Sequence, residues 1–174
     1  VPMDITDAEK VDHMSALINQ RFGRLDILVG NAGILGILSP LGHIDPKIWD
    51  QVIAVNLSAN WRLLRAMDPL LHSSHAGRAI FVTSTVGVEA RAYWGAYAVS
   101  KAALEMMTRT YAKEIATTPI RVNLVNPGGT RTQMRSQAMP GEDPNILPSP
   151  EDRADVFVDL ALPSCTANGQ LFTA

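Results

Sequence analysis

The chain has 174 residues, 47% hydrophobic and 18% charged, which suits one soluble globular domain with a real core and excludes a disordered segment. A formal charge of −2 gives no electrostatic reason to expect nucleic acid or an anionic membrane as a partner. The lone cysteine, Cys165, excludes a disulfide framework and a thiolate metal cluster, and agrees with a reducing, cytoplasmic setting.

Residues 1–5 have the look of a strand's stump. Thr6 and Glu9 have capping-box spacing, and Val11, Met14, Leu17, Ile18 and Phe22 form the apolar stripe of a helix that Gly23 is placed to end. Leu25 to Val29, apolar but for Asp26, is expected as a buried strand; the small residues of Gly30-Asn31-Ala32-Gly33 then let a ligand approach the backbone. Asp45 caps a helix with Pro46 at its first position. That helix runs, kinked or in two pieces, to about Leu71, with Pro69 near its end. The longest apolar stretch, Ile27 to Leu38, is interrupted by Asn31 and three glycines, too short for a bilayer, and no signal peptide is expected.

Ala79 to Val82 reads as the next strand, giving way to small polar residues at Ser84. The following helix carries Tyr97, Lys101, Leu104, Met107, Tyr111 and Ile115, and stops by Pro119. Tyr97 and Lys101, four apart, project from one helix face. A phenol titrates near pH ~10, an ammonium beside it favours the phenolate, and Ser84 at a strand's end can aim a hydroxyl at the same point. Such a trio suits proton transfer to a carbonyl or alcohol. Taken alone, the same residues fit an ordinary surface pair and a loop serine. Ile120 to Val125 is a further strand, ending in Asn126-Pro127-Gly128-Gly129-Thr130. Residues 130–150 read as irregular, with Pro140, Pro144, Pro148 and Pro150, and have the length of a functional loop, expected as a substrate lid. Ser149-Pro150-Glu151 opens a last helix, and Gly169 to Thr173 a last strand. Strand alternating with helix predicts an α/β fold, a doubly wound parallel sheet in a single domain. His72 and His75 at a frayed helix end read as solvated surface, so no metal site is expected. Trp49, Trp61 and Trp94 read as packing or interface residues, Trp94 alternatively as pocket wall.

Four motifs in order resemble the short-chain dehydrogenase/reductase family: Asn31-Ala32-Gly33 after a strand, Val55-Asn56-Leu57 in a helix, Ser84 with Tyr97-x-x-x-Lys101, and Asn126-Pro127-Gly128-Gly129-Thr130. The resemblance implies a Rossmann-like fold and an NAD(P)-dependent oxidoreductase interconverting a small-molecule carbonyl and alcohol. Tyr97 would be the acid/base, with Lys101 lowering its pKa and bonding the nicotinamide ribose. Ser84 would position the substrate oxygen, and Asn56 would hold a water in a proton relay; its alternative is a mid-helix polar residue that bends the helix or faces solvent. NAD or NADP would lie against Asn31, Ala32 and Gly33 on the adenosine side and Pro127, Gly128 and Thr130 on the nicotinamide side. Thr132 would reach phosphate, and Asp4 would touch adenine or else be a solvated residue before a helix cap. Gly30 stands where the family often has Asn, a change expected to matter little. Relatives dimerise through the helices that carry Asn56 and Tyr97, which implies a homo-oligomer.

No segment matches the family's Gly-rich phosphate turn. The resemblance therefore covers the family's strands four to seven, and residues 1–174 read as an N-terminally truncated, partial domain, its catalytic half. Two functional readings follow: part of an oxidoreductase, or a non-catalytic module acting through oligomerisation. Either way, the strand from Leu25 to Val29 is expected as an open apolar edge.

Overall fold

The computed structural model describes residues 2–174. Four parallel strands, β1 (Ile27–Gly30), β2 (Arg78–Val82), β3 (Arg121–Asn126) and β4 (Leu171–Thr173), lie side by side in chain order. The middle of the sheet is apolar on both faces, as parallel strands covered by helices must be: every residue of β2 is buried. On one face α1 (Ala8–Phe22), α3 (Ala59–His72) and α4 (Gly95–Glu114) pack through Met14, Ile18, Leu64, Met67, Leu104 and Tyr111 onto Leu28, Phe81, Val122 and Leu124. On the other, α6 (Asp155–Ala161) sets Leu160 against Ile80 and Val125. The fold is thus an α/β, Rossmann-like, doubly wound parallel sheet. At β1 only one face is covered: Leu28 is buried, whereas Ile27 and Val29 are 46% and 45% exposed. No helix of the described residues is long and apolar enough to cross a membrane.

Local chemistry explains most boundaries. Gly23 closes α1 in the left-handed conformation at φ 69°, its N–H on the Asn19 carbonyl. Asp45 caps α2 (Pro46–Ile53) by accepting the Lys47 N–H at 2.8 Å, with Pro46 at the first position. The expected kink between α2 and α3 is a π-helical turn over Ala54–Ser58, centred on Asn56.

Four expectations need correction. Residues 2–5 form no strand (Val1 lies outside the described residues): the Asp4 carboxylate instead folds back to accept the backbone N–H and hydroxyl of Thr6 at 2.8 and 2.7 Å. With Thr6 engaged there, Asp7 caps α1 through the Lys10 N–H. Residues 130–150 are not irregular throughout. Thr132 caps a short helix, α5 (Gln133–Ala138), Asp143 caps a 3-10 turn at Pro144–Ile146, and the chain is pinned where the Arg131 N–H meets the Pro148 carbonyl at 2.8 Å. Ser149 opens a 3-10 turn, Glu151–Arg153, before α6 begins.

Candidate active site

A cleft of about 560 Å³ opens where β1, β2 and β3 end, the place where open α/β sheets bind ligands. It brings together Asn31, Ala32 and Gly33 after β1, Ser84 after β2, Pro127, Gly128, Thr130 and Thr132 after β3, and Tyr97 and Lys101 from the first turns of α4. Asn126 ties two of these walls. Its Oδ1 accepts the Gly128 N–H and its Nδ2 donates to Thr85 Oγ1, both at 3.0 Å, with Gly128 at φ 66° where a side chain would be strained.

Tyr97 and Lys101 sit one helical turn apart and are buried, at 9% and 3% exposure. The Lys101 Nζ donates to the Val82 carbonyl at 2.7 Å, at the last residue of β2, and lies 5.6 Å from the Tyr97 ring centroid. Burial pushes the Tyr97 phenol up, and the nearby Ser84 hydroxyl opposes this. The same burial takes Lys101 down to about 8. The expectation that the ammonium makes this phenol acidic is therefore reversed for the protein by itself. Desolvation disfavours the charged form of both groups, so it moves an acid up and a base down, and it is the largest influence on each.

Asn56 lies behind the cleft rather than in its lining, fully buried in the π turn. Its Oδ1 accepts the Ile34 N–H at 2.8 Å, and its Nδ2 donates to the Ile34 carbonyl at 2.9 Å and to Ser100 Oγ at 3.0 Å. The Asn60 side chain caps the Asn56 carbonyl at 2.8 Å. Asn56 thus clamps the Asn31–Gly33 loop to the π turn and to α4. A Cβ at Gly33 would fall 3.4 Å from Asn56 Oδ1 and 3.5 Å from Lys101 Nζ, ordinary contact distances that an alanine could meet. At Gly30 a Cβ would fall 2.4 Å from both Asn60 Oδ1 and the Phe81 ring. Since both neighbours are buried, an Asn at position 30 needs repacking, contrary to the small effect expected.

A family model described as short chain dehydrogenase matches residues 1–143. The oxidoreductase YciK of Escherichia coli K12, itself uncharacterized, is 43% identical over 153 residues, 88% of this chain and 60% of that protein. A short chain dehydrogenase from Salmonella enterica serovar Typhi superposes with a TM-score of 0.95 at 41% identity, over 98% of this chain and 72% of the other. A protein of Escherichia coli CFT073 crystallised with NADPH gives 0.93 at 40% identity, over 98% and 72%. The chain belongs to the short-chain dehydrogenase family.

Against the family's motifs, Asp4 alone among the cofactor candidates is not brought to the cleft; its carboxylate is turned onto Thr6. Thr132 does reach it, with its hydroxyl accepting the Arg135 N–H as a helix cap. Leu35, Arg153 and Phe157 line the cleft and were missed by sequence reasoning, while Met134, Arg135 and Ala138 line it from within the segment expected as a lid. Trp94 takes its pocket-wall role, edge-on to Tyr97 at 5.9 Å between centroids. The preceding Tyr93, at φ 74°, carries backbone strain that turns the chain into α4. Buried Glu105 was also missed. It accepts the Thr83 hydroxyl at 2.8 Å and pairs with Arg109 at 3.1 Å, anchoring the loop that carries Ser84. Its signal was a carboxylate one turn beyond Lys101. No group of three or more metal-ligating side chains occurs among the described residues.

Proposed function

We propose that this chain is the catalytic part of an NAD(P)-dependent oxidoreductase that interconverts a carbonyl and an alcohol on a small molecule. It spans 60% of the length of YciK, so the reading is for the full-length protein. The observation that carries it is the convergence of Ser84, Tyr97 and Lys101 on one cleft.

The residues present fit a dinucleotide. Gly33 and Gly128 let the two walls approach a ligand by backbone, and the cleft runs unbroken from Asn31 to Thr132. Asn31, Ala32 and Gly33 hold the adenosine side; Pro127, Gly128, Thr130 and Thr132 hold the nicotinamide side; Lys101 holds the ribose between them. The NADPH complex of a relative at 40% identity supports the same reading. The nicotinamide, when bound, supplies or takes up the hydride.

The rest is the protein's own work. In the reducing direction Ser84 donates a hydrogen bond to the substrate carbonyl oxygen, and the protonated Tyr97 phenol delivers the proton to that oxygen as it becomes an alkoxide. A buried phenol is held protonated, as an acid for this direction must be. Lys101 then offsets the charge of the phenolate that remains. Asn56 positions the Asn31–Gly33 loop through Ile34 and the start of α4 through Ser100. Residues 130–150 form the substrate lid: Met134 and Ala138 of α5, with Leu35 and Trp94, give the pocket an apolar wall. The protein assembles as a homo-oligomer through α3 and α4, where Trp61 and Met106 are 52% and 65% exposed, and works in the cytoplasm.

Calorimetry of the full-length protein with NADH and NADPH tests the cofactor, and turnover of a Tyr97→Phe variant tests the acid. No binding of either cofactor favours the non-catalytic module, and an active variant refutes Tyr97.

A further inference from the structure

The lining of the cleft includes Lys101, Arg135 and Arg153, and no aspartate or glutamate. Two of these cations are engaged. Lys101 meets the Val82 carbonyl, and Arg135 donates through Nε and Nη2 to the two oxygens of Glu142 at 2.5 and 2.7 Å.

Arg153 has no such partner. Its Nε is shut off from solvent with no acceptor, and none of the ion pairs among the described residues includes it. The adjacent Asp152 turns its carboxylate to the Ser149 N–H at 2.7 Å instead. Buried donors are almost always satisfied, so one that is not, on a charged group in a cleft, points to a ligand that satisfies it. The guanidinium lies against the turn after β3, with Nη2 3.9 Å from where a side chain on Gly128 would begin.

Resting on the dinucleotide reading above, we propose that Arg153 binds the diphosphate bridge of the cofactor, donating through Nε and its Nη atoms to phosphate oxygens. With adenosine held by the Asn31–Gly33 wall and nicotinamide by the Pro127–Thr130 wall, the bridge that joins them would cross the cleft, and Arg153 borders the second wall. A planar fork of donors matches phosphate oxygens in a way a single ammonium does not.

The test is calorimetric titration of the full-length protein with NADH and NADPH, without carbonyl substrate, for the native sequence, Arg153→Gln and Arg153→Lys. Removing the fork should weaken both cofactors by the same factor, about tenfold to a hundredfold. Arg153→Lys should recover part of the loss, and cofactor affinity should fall less steeply with salt in Arg153→Gln than in the native protein. A loss confined to NADPH moves the contact to the 2′-phosphate and overturns the proposal. Unchanged cofactor affinity with a raised KM for an anionic carbonyl substrate assigns Arg153 to that substrate, and also overturns it. Melting curves establish that both variants fold, and Arg153→Lys carries the test should the glutamine variant not. A native protein that binds neither cofactor defeats the dinucleotide reading itself, a result distinct from a null effect at Arg153.

Discussion

The two walls of the cleft are built on different principles. The wall formed by the π turn and α4 is interior: Asn56, Ser100, Lys101, Thr83 and Glu105 are all buried, and each is held by hydrogen bonds to backbone or to another buried side chain. The wall that follows β3 is made of short turns, one six-residue helix and half-exposed side chains, tied chiefly by Arg135–Glu142 and by Asn126. On the proposed function, the groups that would hold one geometry through a proton transfer sit on the rigid wall, and those that would recognise a ligand of particular shape sit on the adaptable one.

The sharpest way to break this division is Tyr97→Phe. The ring keeps its packing against Trp94, so melting should stay within a few degrees, while kcat falls at least about a hundredfold, the low end of general acid–base contributions. A variant retaining most of its turnover would place the acid elsewhere, and the rigid wall would lose its purpose.

Lys101 gives the next largest effect, read through pH. Its folded value is about 8 against roughly 10.4 in an unfolded chain. Between the two, the unfolded chain binds a proton that the folded protein does not, so native stability should rise with pH across that window. Lys101→Met has no such slope. The native protein should therefore gain on the variant by about 3 kcal/mol between pH ~8 and ~10.4, measured by urea unfolding at each pH. Parallel curves would mean that the lysine is solvated and the wall is looser than described.

Burial is also what the sequence could not convey. The lysine's spacing from Tyr97 made a neighbouring charge visible; the larger influence, desolvation, exists only once α4 is pressed against β2. The strands were readable because parallel strands are continuous apolar runs, and the motif residues because chemistry fixes their spacing. The π turn was not, since it depends on Asn56 reaching Ile34 across 22 residues. Nor was Thr6 readable as a failed cap, because the competing acceptor, Asp4, differs from a solvated aspartate only in its backbone turn. Arg153 falls where a helix was expected but a 3-10 turn forms instead, and only the path of the chain brings it back to Gly128.

Asn56→Ala tests the clamp directly. It leaves the Ile34 N–H and carbonyl without their side-chain partners, at a cost of about 2 kcal/mol by urea unfolding. Because the clamp also positions the Lys101 side of the cleft, kcat should fall along with stability. A loss below about 0.5 kcal/mol would show that water replaces the amide, leaving the wall's order to packing alone.

The smallest effect belongs to the open wall. Arg135 holds the Glu142 carboxyl below the usual carboxylate range, so the pair stays formed at neutral pH, and the side chains are only partly buried, at 26% and 25% exposure. Glu142→Gln removes the negative member of a pair whose Arg135 lines the cleft, and should scarcely move the melting temperature, as pairs in contact with water contribute little. It does leave a second unneutralised cation facing the ligand. At low salt the KM for an anionic cofactor should fall about twofold to fivefold, and the difference should vanish near ~1 M salt, where the Debye length is about 3 Å. A KM insensitive to both the substitution and salt would mean that Arg135 is a structural brace for α5, and that recognition on this wall falls to Arg153 and the backbone of the Pro127–Thr130 turn.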